Sequence, residues 1–376
     1  MNPLNLPFDA NQILKGLRPW VECESPTWDA AAVNRMMGMA ARDFAELGAT
    51  VETIHGTMGF GNSIRVTFPH SDQGGPGILV LGHMDTVHPV GTLEKLPFRI
   101  EDGRCYGPGI MDMKGGNYLF MEAMRQFLRA GLKTPLPVTF LFTSDEEVGT
   151  PATRRLIEDH ARGQRAVLVP EATERDGGAV VGRYAIARYN LLTEGRPSHA
   201  GESLKEGRSA ISGMARKVLE IEAMTTEDCT FSVGVIHAGQ WVNCVSSECQ
   251  AEALSMAKTQ SDLERGVAAI GAMQGEENGV NFTVTRGVAR PVWEPGPGTM
   301  QLYELAKGLS SELGFELTAH TAGGGSDGNF TGAMGVPTLD AVGVRGRGAH
   351  TLNEHLEIAS LPERAKLAAG LLMNIR

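Results

Sequence analysis

Residues 29–48, DAAAVNRMMGMAARDFAELG, repeat apolar side chains at three- and four-residue spacing and stop at a glycine, the pattern of an amphipathic helix with its C-terminal signal. TVETIHG and SIRVTFP then read as two strands joined by a turn. GGPGILVLGHMDTV (74–87) contains a short continuous apolar run bounded by glycines, which suits a strand buried on both faces of a parallel sheet. A helix is expected at 115–131, a second buried strand at 136–144, a helix over PATRRLIEDHA and a third strand at 165–173. Alternating strands and helices of this kind imply a mostly parallel sheet with helices on both faces.

Beyond about residue 182 the pattern changes. YAIARYNLLTEG alternates like a half-exposed strand, and SAISGMARKVLEIEAM reads as a helix. TFSVGVIHAG, SSECQAEALSMA and VNFTVTRGVA supply strands around a helix near SDLERGVAAIGAM. From VWEPGPGTMQLYELAKGL onward the α/β pattern returns, with strands at ELTAHT and TLDAVGV, a helix after GGGSDGN and a closing helix at SLPERAKLAAGLLMNI. The expected fold is therefore α/β, with a mostly parallel, helix-flanked sheet and a smaller inserted α+β domain. Its parts are residues 1–181, the insertion 182–291, and 292–376. The Gly/Pro-rich ARPVWEPGPG (289–298) is the expected hinge.

At 376 residues, 42% of them hydrophobic, the chain is long enough for two domains with a sizeable core. A net charge of -10 without a basic run argues against nucleic acid and anionic membrane as partners. No segment approaches the roughly 20 apolar residues of a membrane span, and the N-terminus lacks the pattern of a secretory leader, so a cytoplasmic protein is expected. Five scattered cysteines lack the paired spacing of a zinc ribbon or redox motif and read as reduced thiols.

Candidate chemistry lies where the buried strands end. The first ends in His83-Met84-Asp85, the second in Asp145-Glu146-Glu147 and the third in Glu171, while YGPGIMDMKGG brings Asp112 on a glycine-rich loop between the first two. Ligands of open α/β sheets collect at the carboxyl ends of strands, and imidazole with carboxylates is the donor set of catalytic zinc. His83 and Asp85, two apart, face the same side, so the carboxylate is expected to hold the imidazole proton while the other ring nitrogen binds metal.

GHMDTV, YGPGIMDMKGG, TSDEEVGT, PEAT, RPSHAG and GAHTLNE occur in an order and spacing that resemble the di-zinc exopeptidases and deacylases, a family that includes glutamate carboxypeptidase, acetylornithine deacetylase and succinyl-diaminopimelate desuccinylase. The glutamate carboxypeptidase branch is the most similar. The resemblance implies two zinc ions per chain, with Co2+ or Mn2+ as alternatives. His83, Asp112 and Glu171 would hold one, and Asp112, Glu147 and His350 the other, Asp112 bridging. It further implies Glu146 as general base, Asp85 orienting His83, and His199 of RPSHAG as donor to the oxyanion. Arg290, Asn243 and the loop around Gly324 would bind substrate, and the inserted domain would serve as lid and homodimer interface. Asp145 is left a supporting part. His55, His70, His88, His160, His237 and His320 fall outside the motifs, and the GAH context favours His350 over His355.

The activity so implied is zinc-dependent cleavage of an amide bond, releasing an amino acid with a free carboxylate, C-terminal glutamate above others, from a small peptide or N-acyl conjugate. The alternatives are an N-acyl-amino-acid deacylase of the acetylornithine type and, from another class, a catalytically silent metal-binding protein on the same fold.

Overall fold

The computed structural model describes residues 2–72 and 74–376. The chain runs α1 (Ala10–Glu22), α2 (Ala30–Glu46), β1 (Thr50–Ile54), β2 (Ser63–Thr67), β3 (Ile78–His83), β4 (Arg99–Glu101), β5 (Arg104–Tyr106), α3 (Gly115–Ala130), β6 (Val138–Thr143), α4 (Arg154–Ala161), β7 (Ala166–Val169) and β8 (Ala179–Arg183). It continues with β9 (Ala185–Glu194), α5 (Ala210–Ala223), β10 (Cys229–Ala238), β11 (Glu248–Ala257), α6 (Gln260–Ala272), β12 (Gly275–Glu277) and β13 (Val280–Arg290). The last part is α7 (Pro297–Leu313), β14 (Ala319–Ala322), α8 (Gly328–Ala333), β15 (Thr338–Asp340), β16 (Gly346–Arg347), β17 (His355–Glu357) and α9 (Ser360–Asn374).

These elements form two compact units. The first holds the residues up to Gly182 with Trp293–Ala322 and Ser326–Arg376, and the second holds Arg183–Val292 with Gly323–Gly325.

In the first unit an eight-stranded sheet runs β1-β2-β6-β3-β7-β15-β8-β14. Its centre is parallel, β6 with β3, β3 with β7 and β7 with β15, whereas β1, β2 and β8 pair antiparallel with their neighbours on the flanks. Strand β3 is buried along its whole length, as its apolar run requires. Successive side chains of a strand point to opposite faces, so Ile78 and Val80 join Phe140, Phe142 and Leu168 under α1, α2, α3, α7 and α9, while Leu79 and Leu81 join Leu141 and Val167 under Ile157 of α4 and Phe330 of α8. A second, antiparallel sheet, β16-β17-β5-β4, sets residues 346–357 beside residues 99–106.

Helix α1 has no counterpart in the sequence reading. Pro19 stands inside it, three residues before its last residue, and obscures an otherwise clear apolar face of Ile13, Leu14, Leu17, Trp20 and Val21. Asp9 and Asp29 cap α1 and α2 by accepting the N–H of Gln12 and Ala32.

The second unit is an antiparallel sheet, β10-β11-β9-β13-β12. Ala187, Tyr189 and Leu191 of β9 pack with Met214 and Ile221 of α5 and Leu263 and Ile270 of α6, which accounts for the alternation of YAIARYNLLTEG. Among the described residues no helix is long and apolar enough to cross a membrane.

Candidate metal centre

Six acidic or imidazole side chains from five separate segments meet at the carboxyl edge of the parallel strands. His83 is the last residue of β3, and Glu171 follows β7 by two residues. Glu146 and Glu147 open a single helical turn just after β6. Asp112 sits on an irregular turn before α3, where its backbone is extended (φ -116°, ψ 94°) and its peptide bond to Met113 is cis. His350 lies on the turn between β16 and β17 with φ 64°.

Their atoms fall into two groups that share one carboxylate. His83 Nε2 lies 3.2 Å from Asp112 Oδ1 and 3.6 Å from Glu171 Oε1. His350 Nε2 lies 3.1 Å from both Asp112 Oδ2 and Glu147 Oε2. One ligand atom each from His83, Asp112 and Glu147 can be chosen within 4.8 Å of one another.

Electrostatics describes a site crowded with negative charge. Burial alone would lower the His83 pKa, but Asp112, Asp85 and Glu171 raise it well above its ordinary value. Hydrogen bonds to Asp112 and Glu147 push His350 up to about 11. Burial and the charge of Asp112 push Glu147 up to about 7, outweighing the hydrogen bond from His350, and the same two causes raise Glu171. Burial opposes ionisation of Asp112 too, yet His350 and His83 hold it well below the usual carboxylate range.

A divalent cation fits this donor set. His83 Nδ1 is 2.9 Å from the main-chain carbonyl of Asp85, which can only accept, so that nitrogen carries the proton. Nε2, buried and aimed at the carboxylates, would offer its lone pair to a cation that displaces its proton. Carboxylates brought this close need a counter-charge.

The surroundings differ from expectation at two points. The carboxylate of Asp85 was expected to hold the His83 proton, but its Oδ1 stands 3.4 Å from Nδ1, and the shorter contact is to the carbonyl of the same residue. Besides this approach to Nδ1, the carboxylate accepts the Thr27 hydroxyl at 2.8 Å and, at 3.3 Å each, the N–H groups of Glu146 and Glu147. It thus fixes the turn that carries both glutamates. His88, given no role from sequence, is buried and 2.7 Å from Glu354, which also binds the Asp112 loop. Thr27 and Glu354 were not legible as partners, because 58 and more than 240 residues separate them from what they hold. Glu354 does end the GAHTLNE motif, the one signal that pointed toward it.

Glu146 Oε2 comes to 4.0 Å from His83 Nε2 and stays outside the two donor groups. Asp145 is fully buried and accepts from the N–H groups of Ala152 and Thr153 and from the Thr153 hydroxyl, a supporting contact to the following loop.

The remaining candidates belong to the second unit. His199 is exposed and forms a β-bridge with Cys244 just before a turn, with Asn243 as its neighbour, the Asn243 carbonyl accepting the N–H of Ala200 at 2.9 Å. Arg290 ends β13, is buried, and packs against Gly325 so closely that a Cβ there would lie 2.7 Å from its Cδ. The carbonyl of Gly324 accepts from Arg183 at 2.8 Å.

Residues 79–374 match the model of peptidase family M20/M25/M40. The chain belongs to this family. Carboxypeptidase G2 of Pseudomonas sp. (strain RS-16) is 29% identical over 96% of this chain and 89% of that protein, and a succinyl-diaminopimelate desuccinylase of Xanthomonas campestris pv. campestris is 29% identical over 77% and 81%. Among solved structures, a tripeptidase of Staphylococcus aureus superposes with a TM-score of 0.80 at 22% identity, covering 98% of each chain. An M20 family metallo-carboxypeptidase of Sulfolobus solfataricus gives a TM-score of 0.76 at 14% identity, covering 97% of this chain and 99% of its own. The M20 fold is thereby established, and with the family comes a metal-dependent hydrolase acting on amide bonds.

Proposed function

We propose that this M20 enzyme uses two zinc ions to release an amino acid with a free carboxylate, C-terminal glutamate above others, from small peptides or N-acyl conjugates. The observation that carries the reading is the pair of donor groups sharing Asp112, whose two oxygens each face a different histidine at 3.2 and 3.1 Å. His83, Asp112 and Glu171 would hold one ion and Asp112, Glu147 and His350 the other, all donors that suit zinc, with Co2+ or Mn2+ as alternatives. Bound there, such ions polarise the scissile carbonyl and make water more acidic.

The chain's own groups do the rest. Glu146 takes the proton of the attacking water and delivers it to the leaving nitrogen. Asp85 holds the turn that aims Glu146, through the N–H at 3.3 Å. His199, with Asn243 as its neighbour, donates to the oxygen that gains negative charge, and the Arg290 fork, with the loop at Gly324 beside it, receives the substrate carboxylate. The likeness to carboxypeptidase G2 over nearly the whole chain supports glutamate release, and the likeness to the desuccinylase supports, as second reading, deacylation of an N-acyl diamino acid such as N-acetylornithine.

The test is metal removal. Chelation is expected to abolish hydrolysis of N-acyl and peptidyl glutamates, zinc to restore it, and elemental analysis of the active protein to give two metals per chain. One metal or none in fully active protein overturns the bridging role of Asp112. Faster turnover of N-acetylornithine than of any glutamate conjugate favours the second reading.

A further inference from the structure

Glu354 lies four residues after His350, is fully buried, and stands outside both donor groups. Its Oε1 accepts from the main-chain N–H of Met111 at 2.9 Å and of Asp112 at 3.1 Å. Its Oε2 accepts from the N–H of Gly109 at 3.0 Å and from His88 Nε2 at 2.7 Å. The Glu354 carbonyl also accepts from the N–H of Gly107 at 3.4 Å. One residue therefore ties together the segment after β3, the loop that carries Asp112, and the segment that carries His350.

The chemistry of these contacts is specific to an anion. Three N–H groups from four consecutive residues point at one carboxylate, a concave cluster of donors that an anion satisfies. With the fourth donor from His88, both oxygens are satisfied, so burial of the charge is compensated by charge-assisted hydrogen bonds. An amide in place of the carboxylate keeps one accepting oxygen but turns an NH2 group toward donors, leaving main-chain N–H groups of the loop without an acceptor in the interior. Gly109 is locked in place as well, with φ 67° and room for a Cβ only 2.6 Å from Thr86 Cγ2.

We propose that Glu354, buttressed by His88, is a positioning residue of the metal centre: it fixes the main chain at Asp112 so that one carboxylate spans both donor groups. This rests on the reading that those groups hold metal. A bridging carboxylate must present each oxygen to a different partner, and a backbone shift at Asp112 breaks that division while leaving His83 and Glu171 where β3 and β7 hold them. Glu354 touches no substrate in this scheme, so its loss acts on metal affinity and turnover and spares substrate binding.

The test is a zinc titration of metal-stripped, full-length protein against a chromophoric chelator, for the parent and for Glu354→Gln, His88→Ala and His88→Gln. Circular dichroism, thermal melting of the metal-free protein, and kcat and KM on one N-acyl glutamate accompany it. Glu354→Gln is expected to fold, to bind zinc about 10–100-fold more weakly, the usual range for such supporting residues, and to lose kcat with KM unchanged. His88→Ala is expected to follow it to a smaller degree, and His88→Gln, which keeps an N–H directed at Oε2, to recover most of that loss. A folded Glu354→Gln protein with parental zinc affinity and kcat overturns the proposal, even if its melting temperature falls, because that result describes a merely structural acid. Should Glu354→Gln fail to fold, parental zinc affinity in both His88 variants overturns it equally. A parent that binds no zinc overturns the metal reading itself, which separates that failure from this one.

Discussion

Asp145, Glu146 and Glu147 are consecutive in sequence and meet three different surroundings. Asp145 turns inward to the loop at 152–153, Glu147 faces His350, and Glu146 approaches His83 without joining either donor group. Glu146→Gln keeps the shape and all five donor side chains, so it is expected to retain its metal while losing at least about 10²–10⁴-fold in turnover, the range general base catalysis supplies. Elemental analysis alongside kcat checks this, and near-parental activity would assign the proton transfer to another group. A pH effect belongs to the same scale. In metal-free protein the His350 pKa is pushed up to about 11, so at neutral pH the ring carries a proton that a metal must displace. Raising the pH removes that proton, so zinc affinity is expected to rise with pH. Below about 7 Glu147 is protonated as well, which steepens the dependence there. Calorimetry at pH 6 and 8 in buffers of different ionisation heat is expected to record net proton release on zinc binding. An affinity that is flat between those values would contradict this electrostatic account.

At the scale of elements, strand ends do the positioning. Gly82 lets β3 pass under α3, where a Cβ would lie 2.1 Å from Asn117 Oδ1, and Asn117 Nδ2 donates to the His83 carbonyl at 2.8 Å. Gly82→Ala is therefore expected to destabilise the fold by about 1–3 kcal/mol through overpacking and to weaken zinc binding by displacing His83. Thermal melting and zinc titration check it, and a melting temperature equal to the parent's would show that α3 yields. The buried strands β3, β6 and β7 were legible because a strand covered on both faces is written as a continuous apolar run. The chemistry at their ends was legible for the same reason, since the motifs begin where the apolar runs stop. Helix α1 was not, with Pro19 interrupting its pattern, and neither was the division of labour within Asp85. Sequence spacing tells which side a residue faces, but whether its carbonyl or its carboxylate lies nearer an imidazole depends on the chain that arrives from elsewhere, here Thr27 and the turn at 146–147.

At the scale of the whole molecule, the second unit presents apolar side chains at an open edge. Strand β10 is the outermost strand of its sheet, and Val235, Ile236, Trp241 and Val242, at its end and just beyond, are exposed. Unprotected edges with apolar side chains favour pairing with another chain. We expect a homodimer through this unit, seen in sedimentation at micromolar concentration as twice the chain mass, and dissociated by Ile236→Glu with Val242→Glu. A parent that sediments as a monomer would refute it. The order of the strands has a further consequence, in time. Strand β15 lies between β7 and β8 although it follows them by more than 150 residues, and His350 follows His83 by 267 (350 − 83). At about 5–20 residues per second, a ribosome takes on the order of 13–50 s to pass from one histidine to the other. In the last part of that interval, after residue 292 and before β15 at 338, the main sheet lacks a central strand and the Asp112 carboxylate has one imidazole partner, while residues 183–292 of the second unit are already complete and free to fold. On the proposed ligand set, the growing chain is expected to stay inactive by its own topology until the last imidazole has been made.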